Sequence, residues 1–201
     1  MRKKIFFLGL FCTLFAYQSF SQSFSGGILA GIAASQVDGD NHSGYTKAGF
    51  AGGGYVSLTV REKWTLQMDL EFVMKGSHAT DSLNNVYALN LNYVEVPLLL
   101  QYNFYKKYIA QIGLSTATLI SHKETSNSYD LTDVSPELAK QNVSLIIGLR
   151  YPLGEHFTFD FRASNSLQSI RKGTAAYGYI KRFGKYGQYN NLLVLSMFYK
   201  L

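Results

Sequence analysis

From residue 24 onward, hydrophobic and polar positions alternate along most of the chain. Trp64, Leu66, Met68, Leu70, Phe72 and Met74 share one phase of a two-residue period, and Thr65, Gln67, Asp69, Glu71 and Lys75 share the other. Side chains of a strand point alternately to its two faces, so this stretch reads as a β-strand with one apolar and one polar side. A helix would bring Asp69 and Phe72 to the same face and would not be amphipathic. Phe157 to Arg162 and Val143 to Tyr151 repeat the alternation. The pattern predicts eight strands, over residues 24–34, 48–60, 64–75, 89–104, 108–121, 142–151, 157–166 and 189–201. Their connections alternate in length. Residues 61–63, 105–107 and 152–156 are tight turns, whereas 35–47, 76–88, 122–141 and 167–188 are long, polar and rich in Gly, Asn, Ser and Tyr.

Short turns at one end and long loops at the other are the layout of an all-β, eight-stranded antiparallel up-and-down transmembrane β-barrel. A soluble barrel would turn its apolar face inward and cover its outside with charge. Here the polar face is made largely of Gly, Ser, Thr and Ala, and only 16% of the chain is charged, against about 25% in an ordinary soluble domain. Aromatic residues gather near the strand ends (Trp64, Tyr102, Phe104, Tyr151, Phe157 and Tyr199), where a membrane interface would hold them. Arg2-Lys3-Lys4, the apolar run Ile5 to Tyr17 and Ser19-Phe20-Ser21 have the order of a secretory signal peptide, residues 1–21, leaving a barrel domain over 22–201. The expected location is the cell outer membrane. The single cysteine, Cys12, lies in the leader, so the mature chain has no thiol chemistry. Three of the cations behind the net charge of +6 also lie there. What remains is too weak a basic balance for nucleic acid, which is not an expected partner.

Eight strands enclose a space that side chains fill. The predicted inward positions include Asp69, Glu71, Glu95 and Asp160, balanced by Lys75, Arg150, Arg162 and Lys200. Buried charges persist when they are paired, so these eight residues predict a neutral polar network filling the lumen. Pro97 falls inside the fourth strand. The apolar phase changes across it, from Leu89, Leu91 and Tyr93 to Val94, Val96, Leu98 and Leu100, which predicts a bulge or locally irregular pairing at the proline.

Four segments then carry a family likeness: Gly27 to Gly31, Ala48 to Tyr55, Trp64 to Lys75-Gly76, and Leu91-Asn92-Tyr93-Val94-Glu95-Val96-Pro97-Leu98-Leu99-Leu100. Their order resembles the PorT-like outer-membrane β-barrel family of Bacteroidetes. The Tyr-x-Glu-x-Pro-Leu-Leu segment and the Lys-Gly strand ending are the most specific marks. The ending Tyr199-Lys200-Leu201 is similar to the aromatic-x-hydrophobic signature that barrel-assembly machinery reads. The resemblance implies an eight-stranded outer-membrane barrel. The family takes its name from a protein needed for secretion by the type IX system, a function that membership alone does not carry over.

No candidate chemistry has catalytic spacing. His42, His78 and His122 lie in or beside three loops of one end without metal-ligand spacing, and no metal or cofactor is expected. Ser121 and His122 are adjacent on a strand and point to opposite faces, so they cannot form a nucleophile–base pair. Gly52-Gly53-Gly54 lies within a strand, not before a helix, and reads as a site of tight curvature instead of a phosphate loop. The distinctive surface is 167–188, where Arg171, Lys172, Lys181, Arg182 and Lys185 occur with no acid. These cations suit lipopolysaccharide phosphates or a protein partner, unless they pair with the acidic loop 122–141 beside them. The expected function is non-enzymatic: an envelope anchoring or interaction protein contacting outer-membrane lipid, and an accessory to secretion or envelope assembly. The alternatives are a lipid-modifying hydrolase and a narrow gated channel.

Overall fold

A computed structural model describes residues 23–42, 44–105, 107–173, 179–182 and 184–201. The expected signal peptide and Tyr177 of the last loop lie outside the described residues. Eight long strands are seen: β1 (Ser23–Asp38), β2 (Lys47–Arg61), β3 (Trp64–Thr80), β4 (Val86–Tyr105), β5 (Tyr108–Ser126), β7 (Gln141–Leu153), β8 (Phe157–Ser166) and β11 (Lys185–Lys200). Three short strands belong to the long loops: β6 (Tyr129–Asp130), β9 (Arg171–Lys172) and β10 (Ile180–Arg182). Each long strand pairs antiparallel with the next, and β1 pairs with β11 from Gly27↔Lys200 to Asp38↔Tyr189. The sheet therefore closes on itself and leaves no edge in the ring, which is the condition for strands to cross a lipid phase.

The period of two decides what faces out. Ile32 is 68% exposed and Leu70 61%, while Ala33 and Asp69, one residue along, are buried. Leu98, Ile112, Leu114, Ile147 and Leu149 join the apolar outer wall. At the short-turn end, rings touch along the rim: Trp64 on Tyr102 (4.6 Å between centroids), Tyr108 on Tyr151 (5.4 Å) and Phe157 on Tyr199 (5.2 Å). This is the expected aromatic girdle.

Two glycines are demanded by geometry. A side chain on Gly53 would collide with the backbone of Leu70 and Glu71 on β3. Gly76 has φ +139°, and a side chain there would strike the Leu89 carbonyl on β4. The Lys-Gly ending of β3 thus lets β3 and β4 stay paired up to Thr80↔Val86.

At Pro97 the structure has the irregular pairing and not the bulge. Leu89, Leu91, Tyr93, Glu95, Pro97, Leu99 and Gln101 are all buried, so β4 keeps one phase throughout. What changes near Glu95 is the content of the lumen, from apolar to polar. The β3–β4 register runs unshifted past the proline, although Asp69–Pro97 and Leu70–Val96 are missing from the ladder. Proline has no N–H to give, so a gap without slippage results. The real bulge is on β5, where Asn92 pairs with Ser121 and Tyr93 with Leu119, leaving Ile120 as the extra residue.

Candidate functional site

Seven of the eight charges predicted for the lumen face it. Arg162 bridges two carboxylates, with Nη1 at 2.7 Å from Asp69 and Nε at 2.8 Å from Asp160. Arg150 Nε reaches the other oxygen of Asp160 at 3.1 Å. Both guanidiniums lie over the ring of Phe198, at 4.2 and 5.1 Å. Glutamines complete the layer. Gln67 donates to Asp69 (2.6 Å), Gln101 to Gln67 (2.9 Å) and Gln111 to Asp160 (2.8 Å), while Arg150 also donates to Gln67. One layer up, Lys75 meets Glu95 at 2.5 Å and lies 5.5 Å from the centre of the Tyr93 ring; Ser115 donates to the same carboxylate. The two most specific marks of the family likeness, Lys75-Gly76 and Tyr93 to Leu99, therefore meet inside the barrel.

Lys200 is the exception. It is exposed at the short-turn end of β11, where its backbone N–H donates to the His156 carbonyl. Parity alone assigned it inward, but the strand has by then left the enclosed lumen. Four carboxylates consequently face three cations, and Glu71 sits directly across the β3–β4 ladder from Glu95. The glutamines carry no charge, so the charge balance of the sequence does not reveal them. The inward phase of Gln67, Gln101 and Gln111 was the available signal.

Toward the long-loop end the lumen becomes apolar. Leu89, Leu91, Tyr93, Leu192 and Val194 pack with Leu138 and Ile170, which come from the third and fourth long loops. The two loops are tied by Ala139 N–H to the Ile170 carbonyl (2.7 Å) and to β11 by Ile170 N–H to the Gln188 carbonyl (2.8 Å). Leu138 and Ile170 gave no periodic signal, since neither lies in a long strand.

The basic loop divides in two. Arg171 is 4% exposed and donates to Glu124 (2.7 Å) and to the Pro136 carbonyl (2.7 Å). Tyr87 donates its hydroxyl to the same Glu124 (2.8 Å). Arg182 pairs with Asp38 at 2.5 Å. Both arginines brace the rim; Arg171 is buried there, which corrects its assignment to outward contact, whereas Arg182 stays partly exposed. Lys172, Lys181 and Lys185 stay exposed. In the first and second outer loops, burial pushes the Asp40 carboxyl above its ordinary value, while bonds from Asn85 hold Asp81 below its own.

The histidines do not converge. His42 stacks on Tyr87 at 5.0 Å, whereas His78 and His122 are exposed. No cluster of three His, Cys, Asp or Glu suited to a metal occurs among the described residues. Ser121 accepts a bond from Asn92 (2.9 Å).

A closed eight-stranded ring with an apolar outside and a packed polar inside defines a small outer-membrane barrel. Comparison with known sequences agrees: residues 16–172 match the family model described as outer membrane protein beta-barrel domain, and the chain belongs to that family. No curated protein matches the chain in sequence. Among solved structures, it is similar to Neisserial surface protein A, with a TM-score of 0.55 at 11% identity over 90% of this chain and 99% of the other. It is also similar to Ail, the attachment invasion locus protein of Yersinia pestis, solved in complex with the heparin analogue sucrose octasulfate. There the TM-score is 0.51 at 11% identity, over 89% and 99% of the two chains. These likenesses concern the fold. The protein is an outer-membrane β-barrel, and in such barrels the short turns face the periplasm and the long loops the exterior.

Proposed function

We propose that the protein is a non-enzymatic interaction protein of the cell envelope whose outer rim binds anionic saccharide. The observation that carries this reading is the division of the basic loop. Glu124 and Asp38 are occupied by Arg171 and Arg182, so Lys172, Lys181 and Lys185 remain as exposed cations. Cations beside an anionic leaflet gain about 1 kcal/mol each, and lipopolysaccharide phosphates are the nearest source of such anions. The heparin analogue bound by Ail belongs to that protein, but it makes sulfated saccharide a suitable probe here. Binding of this kind would serve an anchoring role. An accessory role in secretion or envelope assembly is the further proposal, supported by the likeness to PorT-like barrels.

The test is retention of the purified barrel on immobilised heparin at increasing salt. Wild type should bind and elute as salt screens the contact. Replacing Lys172, Lys181 and Lys185 together by Gln should weaken binding at least tenfold. Equal retention of the triple variant would overturn the reading.

A further inference from the structure

Between the third and fourth outer loops lies a cavity of about 620 Å³, lined in part by Lys172, Arg182, Lys185 and Tyr189. Its size is that of a site for a small ligand, about 300–1,000 Å³. Strand register decides which cations reach it. In the β10–β11 hairpin Arg182 pairs with Lys185, and Lys181 with Tyr186. Directly paired residues share a face and neighbouring residues alternate. Arg182 and Lys185 therefore point together into the cavity, and Lys181 and Tyr186 point away from it. Lys181 is held on that other side, 5.7 Å from the centre of the Tyr186 ring. On β9, Arg171 turns inward to Glu124, which sends its neighbour Lys172 the other way, into the cavity.

The site is also held in place. The single proton of the Tyr189 hydroxyl is shared between the carbonyls of Lys185 (3.0 Å) and Arg182 (3.3 Å), which ties both strands of the hairpin to one ring. Arg182 is aimed by Asp38 and lies 5.1 Å from the centre of the Tyr189 ring. A guanidinium keeps further N–H donors after one carboxylate contact. Lys172 and Lys185 have no ion pair among the described residues, so neither positive charge in the cavity is directly bonded to a carboxylate. Gln141 and Gln168 add uncharged hydrogen-bonding groups, and Leu167 an apolar wall. Two free cations beside amides and an apolar surface suit one anionic ester on a sugar ring better than a bare ion or a long polymer.

We propose that this cavity binds a single sulfate or phosphate ester carried on a sugar, with Lys172 and Lys185 neutralising the ester and Arg182 fixing its position. This rests on the anionic-saccharide reading above and narrows it from a diffuse basic rim to one built site.

The experiment is calorimetric titration of the purified barrel, in detergent without phosphate, with glucose 6-sulfate and glucose 6-phosphate. Plain glucose and inorganic sulfate are the controls, and heparin is titrated in parallel. Saturable one-site binding of at least one ester, and of neither control, is expected; which ester binds distinguishes a sulfated from a phosphorylated source. The Lys172→Gln/Lys185→Gln variant should lose at least tenfold in ester affinity, and Lys181→Gln less than twofold. Heat-modified gel mobility of each variant confirms that the barrel has folded. Equal losses in both variants, or inorganic sulfate binding as well as the esters, would overturn the built site. If heparin binds and the esters do not saturate, the cavity proposal fails while the broader reading stands. If heparin also fails to bind, both fall.

Discussion

Asp160 is the carboxylate that two guanidiniums share, and Phe198 covers both of them from below. Replacing Asp160 by Asn keeps the shape and removes the charge that Arg150 and Arg162 hold in common. Breaking a buried pair from one side costs about 3–5 kcal/mol, so Asp160→Asn should lower the urea midpoint of unfolding sharply. A midpoint within error of wild type would mean that the arginines are satisfied by the glutamines and Asp69 alone. Glu71 makes the opposite case. It faces Glu95 across the ladder, and Lys75 is already engaged by Glu95. Like charges directly opposite are destabilising, so Glu71→Gln should stabilise the barrel by on the order of 1 kcal/mol. The same midpoint measures it, and a fall would show that the Glu71 charge is needed by Arg162 or Lys75. The excess carboxylate was invisible in the sequence, because Lys200 has inward parity and only the end of the enclosed lumen excludes it.

Strand β4 shows what the two-residue period reveals and where it misleads. Strand number, order and facing were legible, since a wall between lipid and a polar interior imposes strict alternation. Strand ends were not. The apolar alternation stops near Lys75 and Ser121, but β3 continues to Thr80 and β5 to Ser126, into the region where the outer face no longer meets lipid. Pro97 misled for a related reason. Leu89, Leu91 and Tyr93 are apolar because they pack under Leu138 and Ile170, so a change of surroundings along one face imitated a change of face. The proline still leaves a mark, since Asp69–Pro97 and Leu70–Val96 are absent from the ladder. Pro97→Val restores the missing N–H on an unshifted register. One regained hydrogen bond contributes about 0.5–1.5 kcal/mol, so this variant should unfold at higher urea than wild type. An unchanged or lower midpoint would show that the valine cannot fill the proline's buried place. Gly76→Ala should act the other way, because the added carbon meets the Leu89 carbonyl. A substantial loss of folded, heat-modifiable protein is the expected result, and normal yield and midpoint would contradict it.

At the scale of the whole barrel, the interior is closed twice by different chemistry. The periplasmic half is crossed by the layer of Asp69, Arg162, Asp160 and Arg150 with their glutamines, each joined to the next by an ion pair or hydrogen bond. The outer half is filled by the apolar cluster that Leu138 and Ile170 complete. The first seal could be anticipated from alternation and charge count; the second could not, because its last two side chains come from long loops whose path no period reveals. A permeating ion would have to break paired charges in one half and cross an apolar cluster in the other. The barrel should therefore give no stepwise conductance in planar bilayers at neutral pH. Leu138→Ser/Ile170→Ser, which loosens only the outer seal, should remain silent, because the paired layer is untouched. Conductance in wild type would contradict a closed lumen and favour a channel. Conductance only in the double variant would place the seal in the loops and reduce the charge network to filling. Silence in both would agree with a lumen closed by the paired layer alone.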